Sequence, residues 1–202
     1  VKFEASLEED VLEEDPTTGV PDRIPTFHGY SANGNVTAQY VYVNYGTYHD
    51  FEDLIKANVT LNGNIAIARY GHVFRGLKIK RAQELGMVGA VLYTDPGDDG
   101  GPLHDMTGNY PDGPGRNPSS VQRGSAQFLS MGPGDPTTPG YPSKPGVPRA
   151  PTDDNIPQIP SIPISYVDAL PILKALNGHG PTPKDLNEYW DVNLGLVTRD
   201  RK

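Results

Sequence analysis

Short apolar runs bounded by turn residues dominate the first half of the chain. Ala38 to Tyr45 (AQYVYVNY) is rich in β-forming residues. Asn64 to Tyr70 (NIAIARY) and Val88 to Thr94 (VGAVLYT) are apolar stretches of strand length, the pattern of buried strands. Between the last two, Leu77 to Leu85 (LKIKRAQEL) interleaves Leu77, Ile79, Ala82 and Leu85 with charges, and Gly86 follows as a stop. Strand, loop, helix, strand predicts a βαβ-like unit over 64–94, with its strands adjacent in one sheet. A second helix is predicted over Phe51 to Ala57 with Asp50 as its N-cap. A third, Tyr166 to Leu176, is opened by Ser165 with Asp168 three residues on, in the manner of a capping box, and closed by Gly178. Pro171 falls near the start of that helix or kinks it. Leu186 to Val197 reads as one or two final strands.

Proline breaks this regularity. Fifteen of the 21 prolines lie between Asp95 and Pro163. Proline removes a donor and fixes φ, so the stretch is predicted as a long irregular arm without interior helix or central strand. Aromatic and aliphatic residues spaced through it predict ordering against a surface, as in functional long loops. The 202 residues fit a single domain of α+β type. Seven carboxylates between Glu4 and Asp15 predict a solvated acidic run.

Charge and composition then exclude function classes. A net charge of -8, from 25 acidic and 17 basic residues, excludes a general polyanion binder, so no nucleic acid is expected as a partner. The absence of cysteine removes disulfides, thiol catalysis and Cys-type zinc sites. No window approaches the roughly 18 apolar residues of a membrane span, and the start is acidic, which argues against a spanning or signal segment here. Asn35-Val36-Thr37 and Asn58-Val59-Thr60 are sequons, glycan acceptors if the chain is exported.

Candidate chemistry is concentrated in one loop. There is no metalloprotease, nucleophile-elbow or phosphate-loop motif, and His28, His49, His72, His104 and His179 are scattered. No catalytic residue and no metal or cofactor site is therefore expected from this chain alone. From Ile65 to Leu85 no acidic residue precedes Glu84, while Arg69, His72, Arg75, Lys78, Lys80 and Arg81 surround the loop RYGHVFRG. A positive loop feeding a helix N-terminus is in outline a carboxylate or phosphate site, with Arg75 the best-placed fork. Spacing leaves a second option open, that these are solvated helix charges.

The run GNIAIARYGHVFRGLKIKRAQELGMVGAVLYTDP at 63–96 resembles the core of the protease-associated domain, and specifically the apical domain of the glutamate carboxypeptidase II and transferrin receptor group. YVNYG at 42–46, YPDGPG at 110–115, VQRGS at 121–125, GDPTTPGYP at 134–142 and IPSIPISYVDALPILKALNG at 159–178 extend the resemblance, in the family's order, over nearly the whole chain. It implies a swivelling β/β/α fold, a mixed sheet flanked by helices, with the Pro/Gly-rich arm at about 95–163. It also implies that 1–202 is an apical domain within a larger parent, and the start at Val1 without methionine agrees with a cut inside a longer polypeptide. Such a parent has a peptidase domain with two zinc ions, a helical dimerisation domain and, as a whole, a homodimeric form.

Three roles follow from the resemblance. The arginine that grips the substrate's C-terminal carboxylate falls on Arg75. The position that contacts the substrate side chain in glutamate-specific enzymes, an asparagine there, falls on Ser125, whose shorter reach puts strict glutamate preference in doubt; Arg123 and Gly124 are expected at the same rim, with the alternative that Arg123 only ties down the proline-rich loop by satisfying its carbonyls. Two calcium-binding backbone carbonyls fall on Thr138 and Tyr141, the remaining ligands lying outside this chain. Tyr93, Tyr110 and Trp190 are expected to serve packing. The implied function is a substrate-binding lid of a zinc exopeptidase, inert alone. The alternative is the apical interaction domain of an inactive transferrin-receptor-like or sorting receptor, and a third reading is a spacer or interaction module. The implied setting is the cell exterior or an endomembrane or vacuolar lumen, on a membrane-anchored parent glycosylated at Asn35 and Asn58.

Overall fold

The computed structural model describes residues 2–99, 108–186 and 190. Its centre is a four-stranded sheet in the order β2 (Tyr40–Tyr42), β3 (Ile65–Arg69), β4 (Gly89–Tyr93), β6 (Ser161–Ile164). A two-stranded sheet pairs β1 (His28–Gly29) with β5 (Gly124–Ser125). Every pairing between these strands is parallel, which refines the expected mixed sheet to a parallel one flanked by helices. The α+β class stands, as do the three adjacent strands and the βαβ unit.

Parallel strands are buried on both faces, which is why they read as apolar runs. Along β3, Ala66 and Ala68 face one cluster with Phe51, Leu54, Ile79, Ala82 and Leu92, while Ile67 faces another with Tyr93, Ile164, Tyr166, Ala169 and Leu173. Helices α1 (Tyr48–Lys56) and α2 (Arg75–Glu84) thus supply one layer, and α3 (Tyr166–Lys174) supplies the other. Tyr93 and Trp190 are buried as packing residues, whereas Tyr110 is 41% exposed and donates to Asp15 at 3.2 Å.

Several boundaries differ from expectation. Thr47, not Asp50, caps α1: its hydroxyl accepts from Asp50 N, and the Asp50 carboxylate returns to Thr47 N at 2.9 Å. Asp50 is thus the third helical residue of a full capping box. In α3 only half of the expected box forms. Ser165 accepts from Asp168 N, but the Asp168 carboxylate turns to Ser6 N and Leu7 N at 2.9 and 3.1 Å, pinning the N-terminal segment. Pro171 lies inside α3. α2 begins at Arg75, two residues earlier than predicted, and closes through Gly86 N to Gln83 O and Met87 N to Ala82 O, with Gly86 at φ +78°. That is the paired bonding of a Schellman stop.

The arm is irregular over most of its described length, but its last residues form strand β6, Pro163 included. Because β6 is an edge strand, the missing N–H is tolerated there. Of the expected C-terminal strands over 186–197, Leu186 ends a short helix, α4 (Pro183–Leu186), and apart from Trp190 the remainder lies outside the described residues, as do His104 and Asp105. No described helix is long and apolar enough to cross a membrane.

Candidate functional site

β3 and β4 end side by side, at Arg69 and Tyr93. Beyond those ends, the loop into α2, the 3-10 turn Pro96–Asp99 and the segment around Gln122 enclose a cleft of about 510 Å³. Its walls carry Tyr45, Tyr70, His72, Phe74, Arg75, Thr94, Asp95, Asp98, Arg116 and Gln122.

The loop is held from beneath by two buried cations. Arg69 is fully buried: its guanidinium stacks 3.9 Å from the Tyr45 ring centroid, donates to Asn44 Oδ1 at 3.1 and 3.2 Å, and pairs with Asp95 and Asp98 at 3.4 Å. Burial pushes the Asp95 carboxyl up to about 6, outweighing the pull of Arg69. Lys78 is 2% exposed and donates to Gly71 O at 2.6 Å and to Tyr45 O. Burial drives its ammonium down to about 7, against the attraction of Asp50. These two residues depart from the solvated-charge option, which fits Lys80 and Arg81, paired on the helix surface with Glu84 and Glu52.

Arg75 is the first residue of α2. Phe74 caps the helix without a side-chain bond, so the N-terminal end of α2, with its partial positive charge, sits beside the guanidinium. Two glycines make this placement possible. A Cβ on Gly76 would lie 2.3 Å from Gln127 O and 2.6 Å from Ala126 O, so only glycine lets α2 approach that main chain. A Cβ on Gly124 would lie 2.4 Å from Arg75 Cζ, so the guanidinium lies flat against bare backbone. Arg75 Nη2 donates to Gln122 Oε1 at 2.8 Å and to Arg123 O at 3.2 Å, and the group lies 5.3 Å from the Tyr70 ring centroid. Its Nε is buried without a hydrogen-bond partner among the described residues. An arginine fork on the wall of a cleft at a helix N-terminus is suited to a planar anion such as a carboxylate.

The other expected site residues are distributed differently. Arg123 meets Arg75 through its backbone carbonyl; its guanidinium turns to Glu9 at 2.9 Å, Ile24 O at 2.7 Å and Pro25 O at 3.0 Å. The bonds from Arg123 and Val121 N hold the Glu9 carboxyl below its ordinary range against partial burial, so one member of the acidic run is an anchor. Ser125 pairs with Gly29 in β5, its hydroxyl accepting from Gln127 N at 3.1 Å. Asn35 and Asn58 are both exposed.

Thr138 and Tyr141 lie in a turn where Thr138 O already accepts from Tyr141 N at 3.3 Å. The turn's carboxylate, Asp135, is engaged by Thr137 at 2.6 Å and Arg149 at 3.1 Å, and hydrogen bonds from Thr137 and Ser143, with the Arg149 charge beside them, hold it down at about 2. Calcium takes six to eight oxygens, so two carbonyls here are only a fraction of a site. Among the described residues no group of three His, Asp or Glu could hold a metal ion. Spacing did not reveal Tyr70, Gln122, His28, Thr94 and Asp98 as neighbours of the cleft and its wall. The RYGHVFRG block contained Tyr70 and the VQRG block Gln122.

Residues 32–129 match the family described as PA domain. The chain carries a PA domain. The matched stretch holds the cleft, from Tyr45 through Arg75 to Gln122, and leaves β6 and α3 beyond it. Outside the matched region the similarity continues: the chain is 62% identical over 186 residues to "Probable glutamate carboxypeptidase" of Arthroderma benhamiae, covering 92% of this chain and 26% of that protein. It is 45% identical over 187 residues to "Vacuolar protein sorting-associated protein 70" of Saccharomyces cerevisiae (89% and 22% covered) and 38% over 162 residues to "Aminopeptidase NAALADL1" of Rattus norvegicus (78% and 21%). Its relatives are glutamate carboxypeptidase-like proteins, and the PA-domain chain spans about a quarter of their length.

Proposed function

We propose that this PA domain is the substrate-facing lid of a glutamate-carboxypeptidase-like zinc exopeptidase, and that Arg75 binds the C-terminal carboxylate of the peptide. The observation that carries this reading is the Arg75 fork, laid against Gly124 on the cleft wall and fixed on one side by Gln122 and Arg123 O. A carboxylate would pair with the edge of the guanidinium that these bonds leave open. The domain's contribution is positioning: it binds the end of the peptide and fixes the register of the scissile bond. Two zinc ions, held by a peptidase domain outside this chain, would supply the activated water. Ser125 would contact the residue side chain, Arg123 would brace the rim, and Thr138 and Tyr141 would lend carbonyls to a calcium site completed by the peptidase domain. The parent is a membrane-anchored, glycosylated homodimer in the exterior or a vacuolar lumen, with Asn35 and Asn58 bearing glycans.

A second reading has one observation in its favour. The 45% identity to a protein named for vacuolar protein sorting suits an apical interaction domain on a parent without peptidase activity. Hydrolysis by the full-length protein separates the two. Chelator-sensitive release of C-terminal residues, with Arg75→Ala raising KM at least tenfold, is expected of the lid. No cleavage, or an unchanged KM and kcat in Arg75→Ala, refutes it.

A further inference from the structure

The main chain that orients Arg75 is paired to β1 at Gly124 and Ser125, and beside that pairing one hydroxyl holds its Gln122 carbonyl. Tyr70 follows the end of β3, and its OH donates to Gln122 O at 2.8 Å. The ring of Tyr70 lies beneath the Arg75 guanidinium, and the side chain of the same Gln122 accepts from Arg75 Nη2. Gly124, two residues on, is the flat surface against which the guanidinium rests. A single phenol thus touches Arg75 from below and anchors the segment that touches it from the side.

The proton arrangement in this group is determined by the bonds. A carbonyl only accepts, so the one proton of the Tyr70 hydroxyl goes to Gln122 O, and Tyr70 must accept from His28 Nε2, 2.8 Å away. His28 therefore carries its proton on Nε2, and Nδ1 accepts from the Ser161 hydroxyl at 2.9 Å. Burial, with Arg75 nearby, drives the imidazolium down to about 4, so the ring is neutral at ordinary pH. The chain Ser161, His28, Tyr70, Gln122 joins β6, β1, the end of β3 and the 122–124 segment, four pieces far apart in sequence.

We infer that Tyr70 and His28 are positioning residues for carboxylate recognition: His28 holds the Tyr70 hydroxyl in the rotor that fixes Gln122, and Gln122 with Gly124 sets the plane of the Arg75 fork. This inference rests on the reading of Arg75 as the carboxylate ligand. A role in stability alone would weaken all substrates in parallel. Positioning of the fork acts only on substrates that own a carboxylate.

The test uses the full-length protein and paired peptides ending in a free carboxylate or an amide, comparing the ratio of their kcat/KM values. Tyr70→Phe, which removes one oxygen, is expected to lower the carboxylate-to-amide ratio about three- to tenfold, the size of one hydrogen bond, mostly through KM of the acid. His28→Leu should do the same, and His28→Gln, which keeps a donor toward Tyr70, should recover most of the ratio. In an Arg75→Ala background, Tyr70→Phe should have no further effect on it. If Arg75→Ala collapses the ratio while Tyr70→Phe and His28→Leu leave it unchanged, or shift it equally with and without Arg75, the positioning inference is overturned and the Arg75 reading survives. If Arg75→Ala itself leaves the ratio unchanged, or neither peptide is cleaved, the Arg75 reading falls and takes this inference with it.

Discussion

Replacing Gly124 by alanine isolates the contact on which the Arg75 geometry depends. The added methyl would lie 2.4 Å from Arg75 Cζ and 2.5 and 2.7 Å from its terminal nitrogens. Carbon atoms in contact settle near 3.5–4.0 Å, so the guanidinium must retreat by about 1 Å. The end of a flexible side chain yields before a paired strand does, so Arg75 moves and its 2.8 Å bond to Gln122 is lost. Gly124 also sits at φ +148°, where a side chain adds backbone strain of about 1–3 kcal/mol. Misplacing a binding group by about 1 Å can cost on the order of 100-fold. Gly124→Ala in the full-length protein should therefore reduce the carboxylate-to-amide ratio of kcat/KM at least tenfold and add little to Arg75→Ala. Gly146→Ala is the control: its φ is +81° and no atom lies within 4 Å of the added methyl, so it incurs the backbone strain without touching the site. A Gly124→Ala protein that discriminates like the wild type, or that loses no more than Gly146→Ala, would refute the reasoning.

Two further predictions concern the scaffold. Lys78 has a folded-state pKa near 7, below the ordinary 10.5, so between those values the unfolded chain binds more protons and stability rises with pH, by up to about 1.4 kcal/mol per unit, with no contribution from this group to the slope below pH 7. Lys78→Met should remove that slope in urea unfolding measured at pH 6, 8 and 9.5; an identical slope in both proteins would disprove the assignment. Asp50 is buried and accepts from Asn44 Nδ2, Thr47 N and Thr47 Oγ1 at 2.8–2.9 Å, so Asp50→Ala should cost about 2–4 kcal/mol in the same assay. A loss below about 0.5 kcal/mol would mean the capping box is not stabilising.

Much of the scaffold is written in local pattern. Apolar runs of strand length placed β2, β3 and β4, and Gly86 marked the end of α2, because burial on both faces and left-handed backbone each select a residue type at a given position. Asp50 was misplaced by three residues. A carboxylate before an apolar run can be the cap or the third residue of the box, and Thr47 with its own hydroxyl decided between them. Arg75 was legible because the FRG and VQRG blocks carry glycines required by contacts at 2.3 and 2.4 Å, although the sequence does not say that the two blocks meet.

What the sequence determined by itself is therefore the βαβ core, the irregular arm and the arginine at the mouth of a helix. What only the tertiary structure decided is which charges are buried and what faces Arg75. Arg69, Lys78 and Lys80 are alike in one dimension, yet Arg69 and Lys78 are enclosed by Tyr45, Asp95 and the Gly71 carbonyl, while Lys80 pairs with Glu84 on the surface. Residues 28, 70, 122 and 161 form one hydrogen-bonded chain although up to 133 positions separate them. The physical reason is the same in each case. Periodicity and capping are properties of neighbours along the chain, whereas desolvation and hydrogen-bond partnership depend on which distant backbone returns to cover a side chain.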